Sequence, residues 1–72
     1  MKYYYRYGLI PRDSAKALQK ACKKHKVDFH TAGAEDGMFD IYMYGETKNS
    51  IANAIIDAHL YYDSRVLEEV NR

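Results

Sequence analysis

Seventy-two residues, 47% of them apolar and 29% charged, suffice for one hydrophobic core and carry no disorder signature. Cys22 is the sole cysteine, which excludes an internal disulfide and favours a reducing, cytoplasmic setting. No apolar run is long enough to span a membrane, and none follows the N-terminal charges as a signal peptide would, so no membrane partner is expected. The net charge of +1 conceals a polarity: residues 1–30 carry eight Lys/Arg against Asp13 and Asp28, whereas residues 31–72 carry three against eight acids. Such a dipole steers a charged partner or makes two copies complementary. Tyrosine is over-used, with eight copies against two phenylalanines and no tryptophan. A small core cannot satisfy many buried hydroxyls, so several of these rings belong at a surface.

In chain order, KYYYRYG at residues 2–8 reads as a strand closed by Gly8 and Pro11. A helix follows, capped by Asp13 or Ser14 and running to about residue 25. Ala15, Leu18, Cys22 and His25 share one face of it, broadened by Ala17 and Ala21. Lys16, Lys20, Lys23 and Lys24 fall on the solvated side. VDFHTA at 27–32 alternates as a second strand. The stretch 33–37 makes a hairpin turn with Gly37 suited to positive φ. MFDIYMY at 38–44 is the third strand, ended by Gly45.

Thr47 caps a second helix whose apolar stripe is Ile51, Ala54, Ile55, Ala58 and Tyr62. Asp63-Ser64 interrupts it, and residues 65–71 read as a short third helix with Val66, Leu67 and Val70 as contacts; continuation of the second helix and a fourth strand are the alternatives. There is no internal repeat or linker, and 1–72 is expected to form one domain.

The order β-α-β-β-α predicts an α+β fold: a three-stranded antiparallel sheet, second strand–third–first, with both helices on one face. In topology this resembles the ferredoxin-like plan without its last strand. The first strand would then be a free edge, open to strand addition. The phase that avoids burying Lys2 and Arg6 unpaired turns Tyr3, Tyr5, Tyr7, Val27, Phe29, Phe39, Ile41 and Met43 toward the helices. It leaves Lys2, Tyr4, Arg6, Asp28, His30, Asp40, Tyr42 and Tyr44 on the open face.

That face mixes rings with cations, and two functions use the combination. A protein interface is the first: Tyr4, Arg6, His30, Tyr42 and Tyr44 would contact a partner protein, either a second copy in a homodimer or a larger host protein that this chain inhibits or regulates. The group Glu35, Asp36, Asp40 and Glu46 could serve to mask a nucleic-acid-binding enzyme, and phage-encoded inhibitors are often as small as this chain.

The alternative is a single-stranded nucleic acid, with bases on the rings and phosphates on Lys2, Arg6, Lys16, Lys20, Lys23 and Lys24. Aromatics on the inner strands resemble the RNA recognition motif. The third strand, GMFDIYMYG, differs from that family's Lys/Arg-Gly-Phe/Tyr signature and places Asp40 within it.

Catalysis and metal binding find less support. Cys22 and His25 stand at i,i+3, but His30 lies on the other side of the sheet and His59 on the second helix, so no zinc set forms. Cys22 faces the core rather than a cleft. Glu35, Asp36 and Asp40 read as a polar hairpin tip rather than a cation site. No phosphate loop is present. The chain is read as non-enzymatic, without cofactor or metal.

Overall fold

The computed structural model describes residues 2–70. Its elements are β1 (Lys2–Ile10), α1 (Arg12–Lys24), β2 (Asp28–Gly33), a single 3₁₀ turn (Glu35–Gly37), β3 (Phe39–Gly45), α2 (Lys48–Asp57) and β4 (Glu68–Val70). The strands form one antiparallel sheet ordered β2-β3-β1-β4, with both helices packed on one face. This is the ferredoxin-like arrangement with all four strands present.

The expected inward set holds. Tyr5, Val27, Ile41 and Met43 are buried, and Tyr3, Tyr7, Phe29 and Phe39 pack against them. They meet Ala15, Leu18, Ala21 and Cys22 of α1 and Ile51, Ala54 and Ile55 of α2. Ala17, expected to widen the core stripe of α1, is exposed instead. Tyr5 shows how an inward tyrosine is tolerated: its ring is buried between Tyr7 and Tyr62, and its hydroxyl accepts from the Asp63 N–H at 3.0 Å.

A bulge extends β1 past Gly8. Tyr7 pairs with Ile41 and Ile10 with Phe39, so three steps on β1 match two on β3. Strict alternation would put Leu9 inward and Ile10 outward. The extra residue reverses this, exposing Leu9 at φ 55° and burying Ile10 in the core.

Local signals explain the other element ends. Helix α1 starts at Arg12, with Pro11 in extended conformation as its N-cap, rather than after a side-chain cap at Asp13 or Ser14. Asp13 sits in the first turn, where the helix dipole favours it. The hairpin closes through Asp36 and Gly37, both at positive φ, with the Met38 N–H donating to the Glu35 carbonyl at 3.0 Å. Thr47 caps α2 as expected, its Oγ1 accepting from the Ser50 N–H at 3.1 Å.

Both helices stop at a left-handed non-glycine residue. At the end of α1, Lys26 has φ 57° and the Val27 N–H reaches the Cys22 carbonyl at 2.8 Å. At the end of α2, His59 has φ 60°, its N–H bonds to Ile56, and the Leu60 N–H bonds to Ile55. These are Schellman caps, and the second one ends the helix well before Tyr62. Since a side chain in this conformation costs about 1 kcal/mol, His59→Gly should raise stability by roughly 0.5–1 kcal/mol, a thermal shift of a few degrees.

The C-terminal segment corrects two expectations. Residues 68–70 form a strand, not a helix, and pair Lys2–Val70, Tyr3–Glu69 and Tyr4–Glu68. Position 71, the last of the expected helix, lies outside the described residues. The chain is turned toward β1 at Asp63, whose carboxylate accepts from the Arg65 N–H at 2.9 Å and whose carbonyl accepts from the Val66 N–H at 3.0 Å. A bare strand edge offers backbone partners that an isolated one-turn helix lacks. The first-strand edge is therefore covered along Lys2–Tyr4, and beyond it β1 leads into the bulge at Leu9.

Candidate functional site

The face of the sheet away from the helices carries two ordered rows. In one, Glu68, Tyr4, Tyr44 and Asp28 stand on successive strands β4, β1, β3 and β2. In the next, Arg6, Tyr42 and His30 stand on β1, β3 and β2. Side chains opposite one another in an antiparallel ladder share a face, so each row is a continuous side-chain strip.

The rings touch. Tyr4 and Tyr44 lie with centroids 5.1 Å apart and planes tilted by 42°, while Tyr42 stacks on His30 at 6.1 Å. The Arg6 guanidinium lies 6.0 Å from the Tyr42 ring centre. Tyr44 is 44% exposed although it sits on a central strand, because no helix covers this side. Partial burial, reinforced by Tyr44 and Tyr42, raises the Tyr4 hydroxyl above its ordinary pKa, so it is a neutral hydrogen-bonding group at physiological pH. The sheet thus brings together all five residues assigned to a protein interface: Tyr4, Arg6, His30, Tyr42 and Tyr44.

The charges on this face are partly spent internally. Arg6 donates to Asp40 at 3.2 Å, and Lys2 lies 3.8 Å from Glu46. Asp40 also accepts from the Leu9 N–H at 2.9 Å, so it holds the bulge in place. That backbone bond, and then Arg6, keep its carboxyl below the usual carboxylate range. A depressed folded-state pKa contributes stability above the unfolded value of about 3.9 and loses it as pH falls through the folded value. The stability deficit of Asp40→Asn should therefore be full above about pH 5 and fade as pH falls below the unfolded value of about 3.9, as urea titrations through the acid range would report.

Other assigned residues do not converge with the rings. Lys16, Lys20, Lys23 and Lys24 lie on α1, on the opposite side of the sheet from Tyr4, Tyr42 and Tyr44. Only Lys2 and Arg6 of the nucleic-acid set share the aromatic face, and each has an acidic neighbour. The acidic group is also divided. Glu35 and Asp36 occupy the hairpin tip, whereas Glu46 follows the far end of β3, about 20 Å from Asp40 at the rise of an extended strand. Glu68 was missed as a face residue because its segment read as helix; the unpaired edge of β1 was the available signal.

Among the described residues, no three of His, Cys, Asp and Glu gather as metal ligands. Cys22 is buried, and desolvation pushes its thiol up to about 11, which leaves little thiolate at neutral pH. His25 pairs with Asp57 rather than with Cys22. No helix among the described residues is long and apolar enough to cross a membrane.

The fold and this face define a small ferredoxin-like α+β domain with an exposed tyrosine cluster and flanking charges, an arrangement consistent with contact to protein or nucleic acid. Compared with family models, curated proteins and solved structures, the chain finds no match.

Proposed function

We propose that this domain is a non-catalytic protein-binding module that uses the open sheet face, centred on Tyr4, Tyr42 and Tyr44, to contact another protein chain and regulate or inhibit it. The observation that carries the reading is the uncovered aromatic strip whose cations are already engaged by Asp40 and Glu46. Rings supply apolar contact with few rotors to freeze, and hydroxyls and carboxylates at the margin supply direction.

A nucleic-acid strand is a poorer fit. On this face Asp28, Asp40, Glu46 and Glu68 outnumber Lys2 and Arg6, so phosphates would meet repulsion where bases would stack. The lysines of α1 cannot serve a strand lying on the rings, because the sheet separates them.

The test is light scattering with absorbance at 260 and 280 nm, on protein purified with and without a high-salt wash. The expected result is a species free of nucleic acid in both preparations. Its mass tells whether the partner is a second copy, as a dimer, or a different chain, as a monomer. Co-purified nucleic acid that salt removes, and that Tyr4→Ala or Tyr44→Ala no longer retains, would overturn the reading.

A further inference from the structure

The open face contains one site that is already filled and one built on the same principle that is not. In the filled site the Arg6 guanidinium lies over the Tyr42 ring and donates to Asp40. A ring face for the guanidinium plane and a carboxylate for its N–H groups are what arginine recognition requires. The neighbouring row has both elements and no cation of its own across the strands: Glu68 and Asp28 flank Tyr4 and Tyr44. Neither carboxylate has an ion-pair partner among the described residues. Lys26 and Lys2 line the recess at the rim beside Asp28 and Tyr44, with Lys2 turned to Glu46 at 3.8 Å.

We propose that the Tyr4–Tyr44 row takes arginine side chains from a basic segment of a partner protein. The proposal rests on the reading of this face as a protein-contact surface and names the partner's chemistry. Charge complementarity selects the occupant, because the surface offers rings and carboxylates while Arg6 and Lys2 are paired with Asp40 and Glu46 and Lys26 stands only at the rim.

Geometry adds a spacing. Four strands at about 4.8 Å place the ends of the row about 14 Å apart, the length of about four residues of extended chain. An extended segment crossing the strands with arginines at i and i+4 would reach both Glu68 and Asp28. Arginine is preferred to lysine because its plane stacks on a phenol while its edge still donates to a carboxylate. The basic surface of α1 carries four lysines, Lys16, Lys20, Lys23 and Lys24, and a single arginine, Arg12, at its first position, so a second copy offers mainly the less suitable cation and no arginine pair at i and i+4.

The experiment is anisotropy titration of fluorescein-labelled nona-arginine, nona-lysine and a 20-mer of deoxythymidine in about 150 mM salt. Nona-arginine should bind about fivefold more tightly than nona-lysine. Asp28→Asn with Glu68→Gln, two exposed positions, should weaken nona-arginine about tenfold, and Lys20→Ala should leave it within about twofold. Equal affinity for the two peptides, or no effect of the double substitution, would overturn the arginine assignment. If self-association that depends on Tyr44 accompanies that failure, the face remains a protein surface and only the partner chemistry is wrong. Tight binding of the oligonucleotide that requires Tyr44 would overturn both.

Discussion

Met43→Ala should remove about 2–5 kcal/mol of stability, enough to shift the urea midpoint far below that of the wild-type chain. Met43 has no exposed surface and occupies β3, a central strand, with Tyr5 and Phe29 as its ladder neighbours. Both helices pack over β3, so they cannot close on the cavity without sliding against each other. A domain of this length holds roughly 4–11 kcal/mol in total, and one buried side chain in its centre is a large share. Met43→Leu, which keeps the volume, should cost less than about 1.5 kcal/mol. Urea denaturation of the three proteins checks the ranking; an alanine cost below about 1 kcal/mol would mean that the site collapses readily.

Gly45→Ala should cost about 1–3 kcal/mol through overpacking. A Cβ at position 45 would stand 2.9 Å from Ile51 Cγ1, 3.3 Å from Ile51 Cδ1 and 3.5 Å from the Thr47 carbonyl oxygen. Ile51 is fully buried in the first turns of α2, and Thr47 fixes that helix end through Ser50, so neither neighbour yields easily. The pair should be non-additive: Ile51→Ala deletes both Cγ1 and Cδ1, and it should cost less in the Gly45→Ala chain than in the wild-type chain. Thermal unfolding of the four-protein cycle measures the difference. Additive losses would place the strain elsewhere.

These two positions show what could be read before any coordinates. Period-two alternation assigned β1, β2 and β3 to the correct faces, because burying Lys2 and Arg6 unpaired would have been costly. Thr47 and the Asp36–Gly37 turn carry chemistry that local rules recognise.

The misreadings share another cause. The end of α2 depends on His59 adopting a conformation that sequence assigns to glycine. The bulge at Leu9 depends on Asp40, 31 residues away, and β4 depends on an edge that exists only once β1 has paired with β3. Each is a tertiary choice that overrides a local preference. The same holds for the site: its rings were legible from phase, whereas Glu68 joined the row only through strand pairing.

The central claim, that the tyrosine face and not the lysine face meets a protein partner, is tested most directly by photo-crosslinking in the native cells. A benzoylphenylalanine would replace Tyr44 in one protein and Lys20 in another. The account predicts protease-sensitive, nuclease-resistant adducts from position 44 and few from position 20. Adducts mainly from position 20, or nuclease-sensitive adducts from position 44, would contradict it.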